Sequence, residues 1–306
     1  MSLPWSELRS ALANVPSLVR ESVPLAPMTH VRIGGAAKYV VEPYTEEAVG
    51  AVMRVCRQLE LPLLVLGGGS NLLVADDGVD AVVLSLTRLN RMVRDGSRVT
   101  AGAGVSLPSL LRATREIGLA GLEALCGVPA LVGGAVAMNA GTRDGSTFDP
   151  LVSVLVADEH GELVERAAEE CAPRYRDGNL GPAIVLGATF DLAADTPQAI
   201  YSRFEASLRR RNATQPVTQR SVGCVFRNPG EGASAGRLIE EANCKLLRRG
   251  DVAVSGKHAN YFVNEGAGTC ADFLELMRDV MDRVQEQFGV ALTPEVKIWG
   301  RETPHQ

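Results

Sequence analysis

The sequence predicts an α+β protein built from two domains. Apolar runs typical of strands and amphipathic stretches typical of helices are mixed through the first two-thirds of the 306 residues, without the regular alternation of a βαβ protein. At about 100–200 residues per domain, this length indicates two domains. A polar stretch at 193–200 precedes a C-terminal part with its own core-forming helix. We therefore expect one domain at 1–195, with two subdomains divided near residue 88, and a second domain at 196–306.

Capping residues and helical spacing predict the helices. Thr45 is a favourable N-cap, and apolar side chains recur at helical spacing after it, which predicts a helix over 45–60. Ser106 followed by Pro108 predicts the start of a second helix. A third helix follows the polar stretch and ends near Arg211. Continuous apolar runs between polar or glycine-rich segments predict strands at 63–66, 81–86, 152–156 and 183–186.

The C-terminal part carries the longest predicted helix. Thr269 is its N-cap and Gly289 closes it. Residues 290–299 alternate enough in polarity to predict a final strand. Apolar residues of the helix form one stripe, which we interpret as core packing: Phe273, Leu274, Met277, Val280, Met281, Val284 and Phe288.

Composition and charge exclude several classes of protein. Hydrophobic residues make up 46% and charged residues 22% of the chain, as in ordinary soluble proteins, so whole-chain disorder is excluded. The formal net charge of -5 argues against a dedicated nucleic-acid-binding protein. No run of about 18 apolar residues occurs, and the N-terminus lacks the apolar stretch of a signal peptide. We therefore expect neither nucleic acid as a partner nor insertion into a membrane.

Cysteine and histidine usage points to a reducing compartment without a metal site. The six cysteines occur singly, with no Cys-x-x-Cys pair, and the four histidines lack the spacing of metal ligands. Several cysteines lie within apolar patterns, where a thiol packs like a small hydrophobic group. We therefore expect a cytoplasmic protein that needs no metal.

A glycine-rich run directly follows the strand predicted at 63–66. Glycines let the backbone approach a ligand closely and turn N–H groups toward an anion. The run lacks the Lys-Ser or Lys-Thr of a P-loop and the final glycine of a dinucleotide fingerprint. A tight turn is the alternative interpretation. The run consists of Gly67, Gly68, Gly69, Ser70 and Asn71.

A second glycine-rich segment covers 127–141 and is long, nearly uncharged and made of small residues. A backbone that gives up side-chain packing over such a length usually lies against something else, and a large planar cofactor or its pyrophosphate would suit. A close contact between a helix and a strand is the alternative. The candidate cofactor-binding residues here are Gly127, Val128, Pro129, Gly133, Gly134, Asn139, Ala140 and Gly141.

A third segment, 219–229, combines a thiol, two arginines and an amide, although a surface turn around a buried cysteine explains the same pattern. The Arg209–Arg211 run ends the preceding predicted helix, where the helix dipole alone favours cations. Together with Arg174, Arg176, Lys257 and His258, these cations would suit a diphosphate pocket.

These segments, in this order, resemble one family, the UDP-N-acetylenolpyruvoylglucosamine reductases (MurB) of peptidoglycan precursor synthesis. The matching stretches cover nearly the whole chain, and the short link after 175–177 resembles the second subtype, which lacks an inserted substrate-covering loop. The stretches are THVRIGG, LGGGSNLLV, GLEALCGVPALVGGAVAMNAGT, YRDG, GCVFRNP, AGRLIEEA, SGKHANYFVN and LTPEVKIWG.

The resemblance implies a fold and a reaction. The fold would be the FAD-binding type of p-cresol methylhydroxylase and vanillyl-alcohol oxidase, followed by an α+β substrate-binding domain whose last strand, 290–300, returns to the active site. NADPH would reduce a non-covalent FAD and leave. The enolpyruvyl ether of UDP-N-acetylglucosamine would then take a hydride and a proton in the same site, giving UDP-N-acetylmuramate. A cytoplasmic, monomeric enzyme is expected.

The resemblance also assigns residues. Arg176 would hold the substrate carboxylate and stabilise the enolate, and Glu295 would act with it. Cys224 falls on the proton donor, where the usual family pattern has serine, and a thiol is an adequate acid. Both glycine-rich segments fall on the flavin-binding loops. The residues assigned to substrate binding are Asn228, Arg211, Lys257 and His258.

Two alternatives stay open at the level of sequence. One is another flavoenzyme on this scaffold, such as an oxidase, which would not need Arg176, Cys224 and Glu295 together. The other is a regulatory protein that binds flavin or a UDP-sugar and has a dead site. The presence of all three candidate residues favours the reductase over both.

Overall fold

The computed structural model describes residues 5–230 and 232–300 and arranges them around three larger sheets. The first part holds two helices, α1 (Trp5–Ala11) and α2 (Glu46–Gln58). Its four-stranded sheet has the order β1-β2-β5-β3, in which β1 is antiparallel to β2 while β2, β5 and β3 are parallel. The strands of this part are β1 (Ser17–Pro24), β2 (Ala36–Pro43), β3 (Leu63–Leu66), β4 (Leu72–Val74) and β5 (Val79–Ser85).

The second part is built on a five-stranded antiparallel sheet with the order β12-β11-β13-β7-β6. Its helices pack their apolar side chains into one core with this sheet, around the fully buried Phe190. The helices are α3 (Leu107–Glu116), α4 (Val132–Ala137) and α5 (Ala168–Cys171). The strands are β6 (Met92–Asp95), β7 (Arg98–Gly102), β8 (Leu119–Ala120), β9 (Gly141–Thr142), β10 (Gly145–Ser146), β11 (Leu151–Ala157), β12 (Leu163–Ala167), β13 (Ile184–Asp191) and β14 (Ala193–Ala194).

The third part carries a four-stranded antiparallel sheet with the order β15-β18-β17-β16. The long helix α8 covers this sheet, and the rings of Phe262 and Phe273 pack with their centroids 5.4 Å apart. Two helices, α7 (Ala235–Glu241) and α8 (Cys270–Phe288), belong to this part, while the preceding α6 (Pro197–Thr214) packs through Phe204 against the core of the second part. The strands are β15 (Ser221–Cys224), β16 (Arg248–Arg249), β17 (Val252–Val254), β18 (Tyr261–Asn264) and β19 (Lys297–Trp299).

Hydrogen bonds tie the third part to the first. The last strand, β19, pairs in parallel with β4, so residues 297–299 lie beside the strand that follows the first glycine-rich run. The Asp76 carboxylate accepts bonds from the backbone N–H groups of Cys270 (2.8 Å) and Ala271 (3.1 Å) and so caps α8 from another part of the chain. The Asn264 amide donates to the Val31 carbonyl at 2.9 Å. These contacts fix the third part against the first, with β19 next to the strand that follows the first glycine-rich run.

The structure confirms the predicted helices and corrects two strand lengths. Thr45, Ser106 and Thr269 each cap a helix with their side chains, Gly289 ends α8 with a φ of 67°, and the helix predicted to end near Arg211 runs to Thr214. The predicted stripe of α8 lies in or against the core. The strand predicted at 183–186 continues to Asp191, because pairing with β7 holds its less apolar second half.

The predicted final strand was too long. Only Lys297–Trp299 forms a strand, and residue Pro294 makes an isolated bridge with Phe226. Proline has no N–H group, so the ladder cannot continue through it. Within the described residues, no helix is both long and apolar enough to cross a membrane.

Candidate active site

The first glycine-rich run forms a loop between β3 and β4 whose tight contacts require glycine at one position. Gly69 has a φ of +63°, and a Cβ placed there would lie 2.3 Å from the Met28 carbonyl oxygen. Its own carbonyl accepts a bond from the His30 N–H at 3.0 Å. Ser70 and Asn71 follow, partly buried. The loop is therefore a tight turn, as the alternative interpretation held, but its neighbours also leave a face uncovered.

Replacing Gly69 by alanine is expected to destabilise the protein more than replacing Gly96. Gly96 has a nearly identical φ of +60° but open space around its Cβ position. Gly96→Ala therefore measures backbone strain alone, about 1–2 kcal/mol, while Gly69→Ala adds the clash with Met28. Chemical denaturation of both variants checks this, and an equal loss of stability in the two would show that the loop can move away.

The second glycine-rich segment faces the first. A Cβ built at Gly67 would lie 3.8 Å from the Cα of Gly134, and Gly134 itself has open space in the direction of its Cβ. Gly68 lies beside Leu131 and the Pro129 carbonyl, with nearest atoms 3.5 and 3.6 Å from its Cβ position. At Gly67 and Gly134 the two backbones thus approach each other with no side chain between them, and the space in front of Gly134 is open.

Other residues of the second segment have structural roles. Gly133 packs against Ala103, directly after β7, because a Cβ there would come within 2.8 Å of the Ala103 Cβ, so close contact between the helix and the end of the strand explains this position. Val128 and Ala140 pack against the core of the second part. Gly141 lies in β9, and Gly127 has a φ of +75° and faces the Arg211 side chain.

Asn139 leaves a buried polar atom without a partner. Its backbone is left-handed, with a φ of 39°, and its amide donates to the Arg174 carbonyl at 3.1 Å. Its buried Oδ1 accepts no hydrogen bond within the described residues. Buried acceptors of this kind normally have a partner. The orphaned oxygen and the side-chain-free surface at Gly67 and Gly134 both fit a planar cofactor with N–H donors, such as the flavin expected from the sequence.

Arg176 and Glu295, 119 residues apart in the chain, form a partly buried ion pair next to these loops. Arg176 Nε donates to Glu295 Oε1 at 3.0 Å, and its Nη1 donates to the Gly141 carbonyl at 2.9 Å. The side chains are 24% and 10% exposed. Arg176 has a left-handed φ of 57°, an uncommon conformation for a residue with a side chain. The pair therefore joins the second glycine-rich segment to the end of the chain.

The backbone of Glu295 is held from two sides. Its N–H donates to the Val225 carbonyl at 2.7 Å, and its own carbonyl accepts a bond from the Asn71 amide at 3.1 Å. Burial raises the pKa of its carboxyl above the ordinary value, although the positive charges of Arg176 and Arg227 act in the opposite direction. Burial and the neighbouring arginines thus act on this carboxyl in opposite directions, and the effect of burial is the larger.

Cys224 lies at the same place, at the end of β15 and next to the Val225 carbonyl that holds Glu295. Burial, followed by the charge of Glu295, raises the pKa of its thiol to about 12, despite the opposing charges of Arg176 and Arg211. The structure thus brings the three predicted catalytic residues together and keeps the thiol protonated at neutral pH.

The raised pKa of Cys224 predicts slow alkylation. A thiol reacts as its thiolate, and the ionised fraction at a given pH falls as the pKa rises. With a pKa near 12, Cys224 in the folded protein is expected to react with iodoacetamide at pH 8 at least 100-fold more slowly than free cysteine, and faster as pH rises toward 12. Mass spectrometry of the modified site measures this. Rapid labelling at pH 8 would contradict a neutral thiol.

The four residues assigned to substrate binding lie in different surroundings. Arg211 is near Cys224; its Nη1 donates to the Cys126 carbonyl at 3.3 Å, while its buried Nε has no partner within the described residues. His258 packs edge-on against the Tyr261 ring, with the ring centroids 4.9 Å apart.

The other two residues are exposed. Lys257 donates to the Asn212 carbonyl at the end of α6. The exposed Asn228 accepts a bond from the Ala235 N–H at 3.1 Å, at the start of α7.

The sequence did not single out Tyr261, which lies beside the thiol. Tyr261 lies directly opposite Cys224 in the β15–β18 ladder, and its hydroxyl donates to Gln215 Oε1 at 3.1 Å. Tyr261 lies within a stretch that carries the family resemblance, SGKHANYFVN, but only the strand register shows which residue it faces. Within the described residues, no group of histidine, cysteine and carboxylate side chains is arranged to hold a metal ion.

Comparison with known protein families agrees with this arrangement. Residues 37–166 match the FAD binding domain family, and residues 215–299 match the C-terminal domain of UDP-N-acetylenolpyruvoylglucosamine reductase. The reductase of Geobacter metallireducens is 40% identical over 300 residues, which cover 97% of this chain and 98% of the relative. The reductase of Moorella thermoacetica is 40% identical over 278 residues, covering 90% and 92%.

Solved structures show the same relationship. The crystal structure of the MurB reductase from Thermus caldophilus superimposes with a TM-score of 0.80 at 38% identity, covering 93% of this chain and 100% of that one. A berberine-bridge-enzyme-like protein of Physcomitrella patens, at 16% identity and a TM-score of 0.50, shares the fold alone. The fold is thus the predicted FAD-binding type of p-cresol methylhydroxylase and vanillyl-alcohol oxidase, followed by an α+β C-terminal part. By sequence and structure alike, the chain belongs to the UDP-N-acetylenolpyruvoylglucosamine reductase (MurB) family.

Proposed function

We propose that this protein is a UDP-N-acetylmuramate dehydrogenase, which uses NADPH and non-covalent FAD to reduce the enolpyruvyl ether of UDP-N-acetylglucosamine in peptidoglycan precursor synthesis. The observation that carries the proposal is the meeting of Arg176, Glu295 and Cys224 beside two facing glycine-rich segments. The reductases of Geobacter metallireducens and Moorella thermoacetica support it. An oxidase or a dead binding protein would have no need for this combination of cation, carboxyl and thiol.

The two glycine-rich segments hold the cofactor in this proposal. Bound FAD supplies the hydride that the protein's own side chains cannot provide. The face left open by Gly67 and Gly134 would let the backbone lie against the cofactor, and Asn139, whose buried Oδ1 is unpartnered in the described residues, would help to hold it. Gly68, Gly69, Ser70, Asn71 and the remaining members of the 127–141 segment shape the same cleft.

Arg176 binds the carboxylate of the enolpyruvyl group. Its bonds to Glu295 and Gly141 use only some of the N–H donors of the guanidinium, so others can point to the substrate. Once hydride has reached the vinyl carbon, negative charge develops beside that carboxylate. A fixed guanidinium in a site shielded from water stabilises such charge strongly. Glu295, in turn, fixes the orientation of Arg176 and helps to neutralise it between turnovers.

Cys224 donates the proton that completes the reduction. Its proton passes from Sγ to the carbon next to the carboxylate, and the thiolate regains a proton from water between turnovers. A thiol with a pKa of about 12 is almost fully protonated at neutral pH and so carries this proton before each turnover. Arg211 and His258, both close to this corner, bind the UDP-sugar together with Asn228 and Lys257 from the surface.

The proposal includes the organisation and setting of the protein. We infer a cofactor domain at 1–195, divided near residue 88, and a substrate-binding domain at 196–306 whose last segment, 290–300, returns to the active site. The pairing of β19 with β4 and the bond from Asn71 to Glu295 support this return. The protein acts as a cytoplasmic monomer without nucleic acid as a partner, consistent with scattered, unpaired cysteines and a net charge of -5.

Two measurements test the cofactor and the order of substrates. The purified protein is expected to be yellow and to release FAD on denaturation, and a colourless protein that cannot be reconstituted with FAD would overturn the proposal.

Because the chain offers one flavin site and no separate dinucleotide fingerprint, NADPH and the UDP-sugar are expected to compete for one site. Initial-velocity plots should therefore be parallel, with inhibition by excess substrate, whereas intersecting lines would indicate a ternary complex.

A further inference from the structure

Tyr261 is held in a fixed position opposite the thiol of Cys224. The two residues are directly paired in the antiparallel ladder of β15 and β18, an arrangement that brings side chains on one face into contact. Tyr261 is only 7% exposed, and its ring packs against that of His258 with centroids 4.9 Å apart. The hydroxyl therefore has little freedom to leave this corner of the site.

The end of α6 supplies the present partner of that hydroxyl. Tyr261 Oη donates to Gln215 Oε1 at 3.1 Å, and Gln215 is itself fixed by a bond from its N–H to the Arg211 carbonyl at 2.8 Å. Gln215 is the C-cap of α6 and Arg211 lies one turn earlier, so the same helix end places both beside the thiol. A hydroxyl that donates to a neutral amide can turn to a stronger acceptor if one forms nearby.

Such an acceptor forms during the proposed reaction. When Cys224 gives up its proton, a thiolate is left in a buried place close to the carboxyl of Glu295, and both conditions disfavour it. Hydrogen bonds to charged groups are about twice as strong as those between neutral groups. The Tyr261 hydroxyl is the neutral donor that can turn to this charge without adding one of its own.

We propose that Tyr261 is a positioning residue for the proton transfer: its hydroxyl turns from Gln215 to Cys224 Sγ as the thiol releases its proton, and so stabilises the thiolate. The proton of Cys224 goes to the substrate carbon, Tyr261 keeps its own proton, and no bond of the phenol breaks. The inference rests on the proposed function, because it requires Cys224 to be the acid.

The test compares the two half-reactions of the FAD-loaded enzyme. Tyr261→Phe is expected to leave flavin reduction by NADPH unchanged and to slow reoxidation by the enolpyruvyl substrate about 10- to 100-fold, the loss of one hydrogen bond to a charged group. In a Cys224→Ala background, Tyr261→Phe should cause no further slowing. Tyr201→Phe, an exposed tyrosine of α6 whose hydroxyl donates to Glu205, is the matched control and should change neither step.

A second readout does not depend on turnover. Iodoacetamide labelling of Cys224 at pH 10 should be about tenfold slower or more in Tyr261→Phe, because the thiolate loses a donor. Gln215→Met removes the competing acceptor and should make labelling faster, which gives a result of opposite sign if Tyr261→Phe folds poorly. Unchanged labelling in both variants would overturn the inference.

The outcomes separate this inference from the proposed function. If Cys224→Ala slows reoxidation and Tyr261→Phe does not, the role of Tyr261 is wrong and the proposed acid stands. Equal slowing by Tyr261→Phe with and without Cys224 would also overturn the inference, because the tyrosine would then act independently of the thiol. If Cys224→Ala slows neither half-reaction, the acid assignment fails first, and the inference falls with it.

Discussion

Replacing Cys224 by alanine is expected to leave flavin reduction by NADPH nearly normal and to slow reoxidation by the enolpyruvyl substrate about 10²–10⁴-fold, the usual effect of losing a positioned general acid. The two half-reactions respond differently because the thiol acts only after hydride transfer. Stopped-flow absorbance of the flavin measures each step separately. Cys224→Ser should restore much of the lost rate, since a hydroxyl occupies the same place and can donate a proton.

Another cysteine with a raised pKa provides the control for this experiment. Burial raises the pKa of Cys56 to about 12 as well, but Cys56 lies in α2 within the core of the first part. Cys56→Ala should therefore affect stability alone. If Cys224→Ala slowed both half-reactions equally or neither, Cys224 would be a packing residue beside the flavin loops, and the acid would have to be sought elsewhere.

The pH dependence of the same step follows from the raised pKa of Cys224. The acid must be protonated to donate, so the rate of the oxidative half-reaction should fall only as the pH rises through the pKa of the thiol. The reference pKa of about 8.5 would place that fall at mildly alkaline pH, whereas a value of about 12 removes it from the working range. A fall centred near pH 8.5 that disappears in Cys224→Ser would contradict the buried, neutral thiol.

Replacing Arg176 is the other change with a large expected effect. Arg176→Ala should slow the oxidative half-reaction about 10²–10³-fold, comparable to the loss of one charge-stabilising donor in other enzymes. Arg176→Lys should recover little of this rate. An ammonium group cannot reproduce the planar set of donors that reaches Glu295, Gly141 and the substrate carboxylate together.

The control for Arg176 is an arginine with a similar partner and no place in the site. Arg249 donates through Nε and Nη2 to the two carboxylate oxygens of Asp279, at 2.7 and 3.0 Å, on the surface of the third part. Arg249→Lys should leave both half-reactions unchanged. Near-normal reoxidation in Arg176→Lys would mean that charge alone suffices, and that the fork of donors seen here is structural.

Local signals in the sequence account for the elements that were predicted well. The caps Thr45, Ser106 and Thr269 act through atoms within three residues along the chain, so their effect can be deduced without the tertiary structure. The strand at Leu63–Leu66 is delimited by an apolar run and the glycines that follow it. The final strand was overestimated because alternation of polarity does not reveal where a ladder meets Pro294.

The geometry of the site depended on contacts that local patterns do not encode. Arg176 and Glu295 meet across 119 residues, and Cys224 faces Tyr261 only through the register of two strands separated by α7 and two shorter strands. The family resemblance identified the first three residues without their geometry. The sequence around Tyr261 did not indicate a place in the site, because a tyrosine in an apolar stretch is typical of any half-buried strand.

Asn71 is a further residue whose contacts could not be deduced from the local sequence. In the sequence it appears as one more polar residue of a glycine-rich run, and the natural expectation is contact with the cofactor. In the structure its amide donates to the Glu295 carbonyl at 3.1 Å, and its carbonyl accepts from the Lys297 N–H at 3.0 Å. A role in holding the end of the chain against the flavin loop could not be deduced before β19 was placed beside β4.

In the proposed function, this chain passes electrons from NADPH to the enolpyruvyl ether of UDP-N-acetylglucosamine. The most direct measurement is anaerobic oxidation of NADPH by the purified protein, followed at the NADPH absorbance band with and without that substrate. Sustained oxidation is expected only when the UDP-sugar is present, with one UDP-N-acetylmuramate formed for each NADPH consumed. Oxidation that needs oxygen and ignores the UDP-sugar would identify an oxidase, and no oxidation under either condition in protein that retains FAD would identify a binding protein; either result would contradict the account.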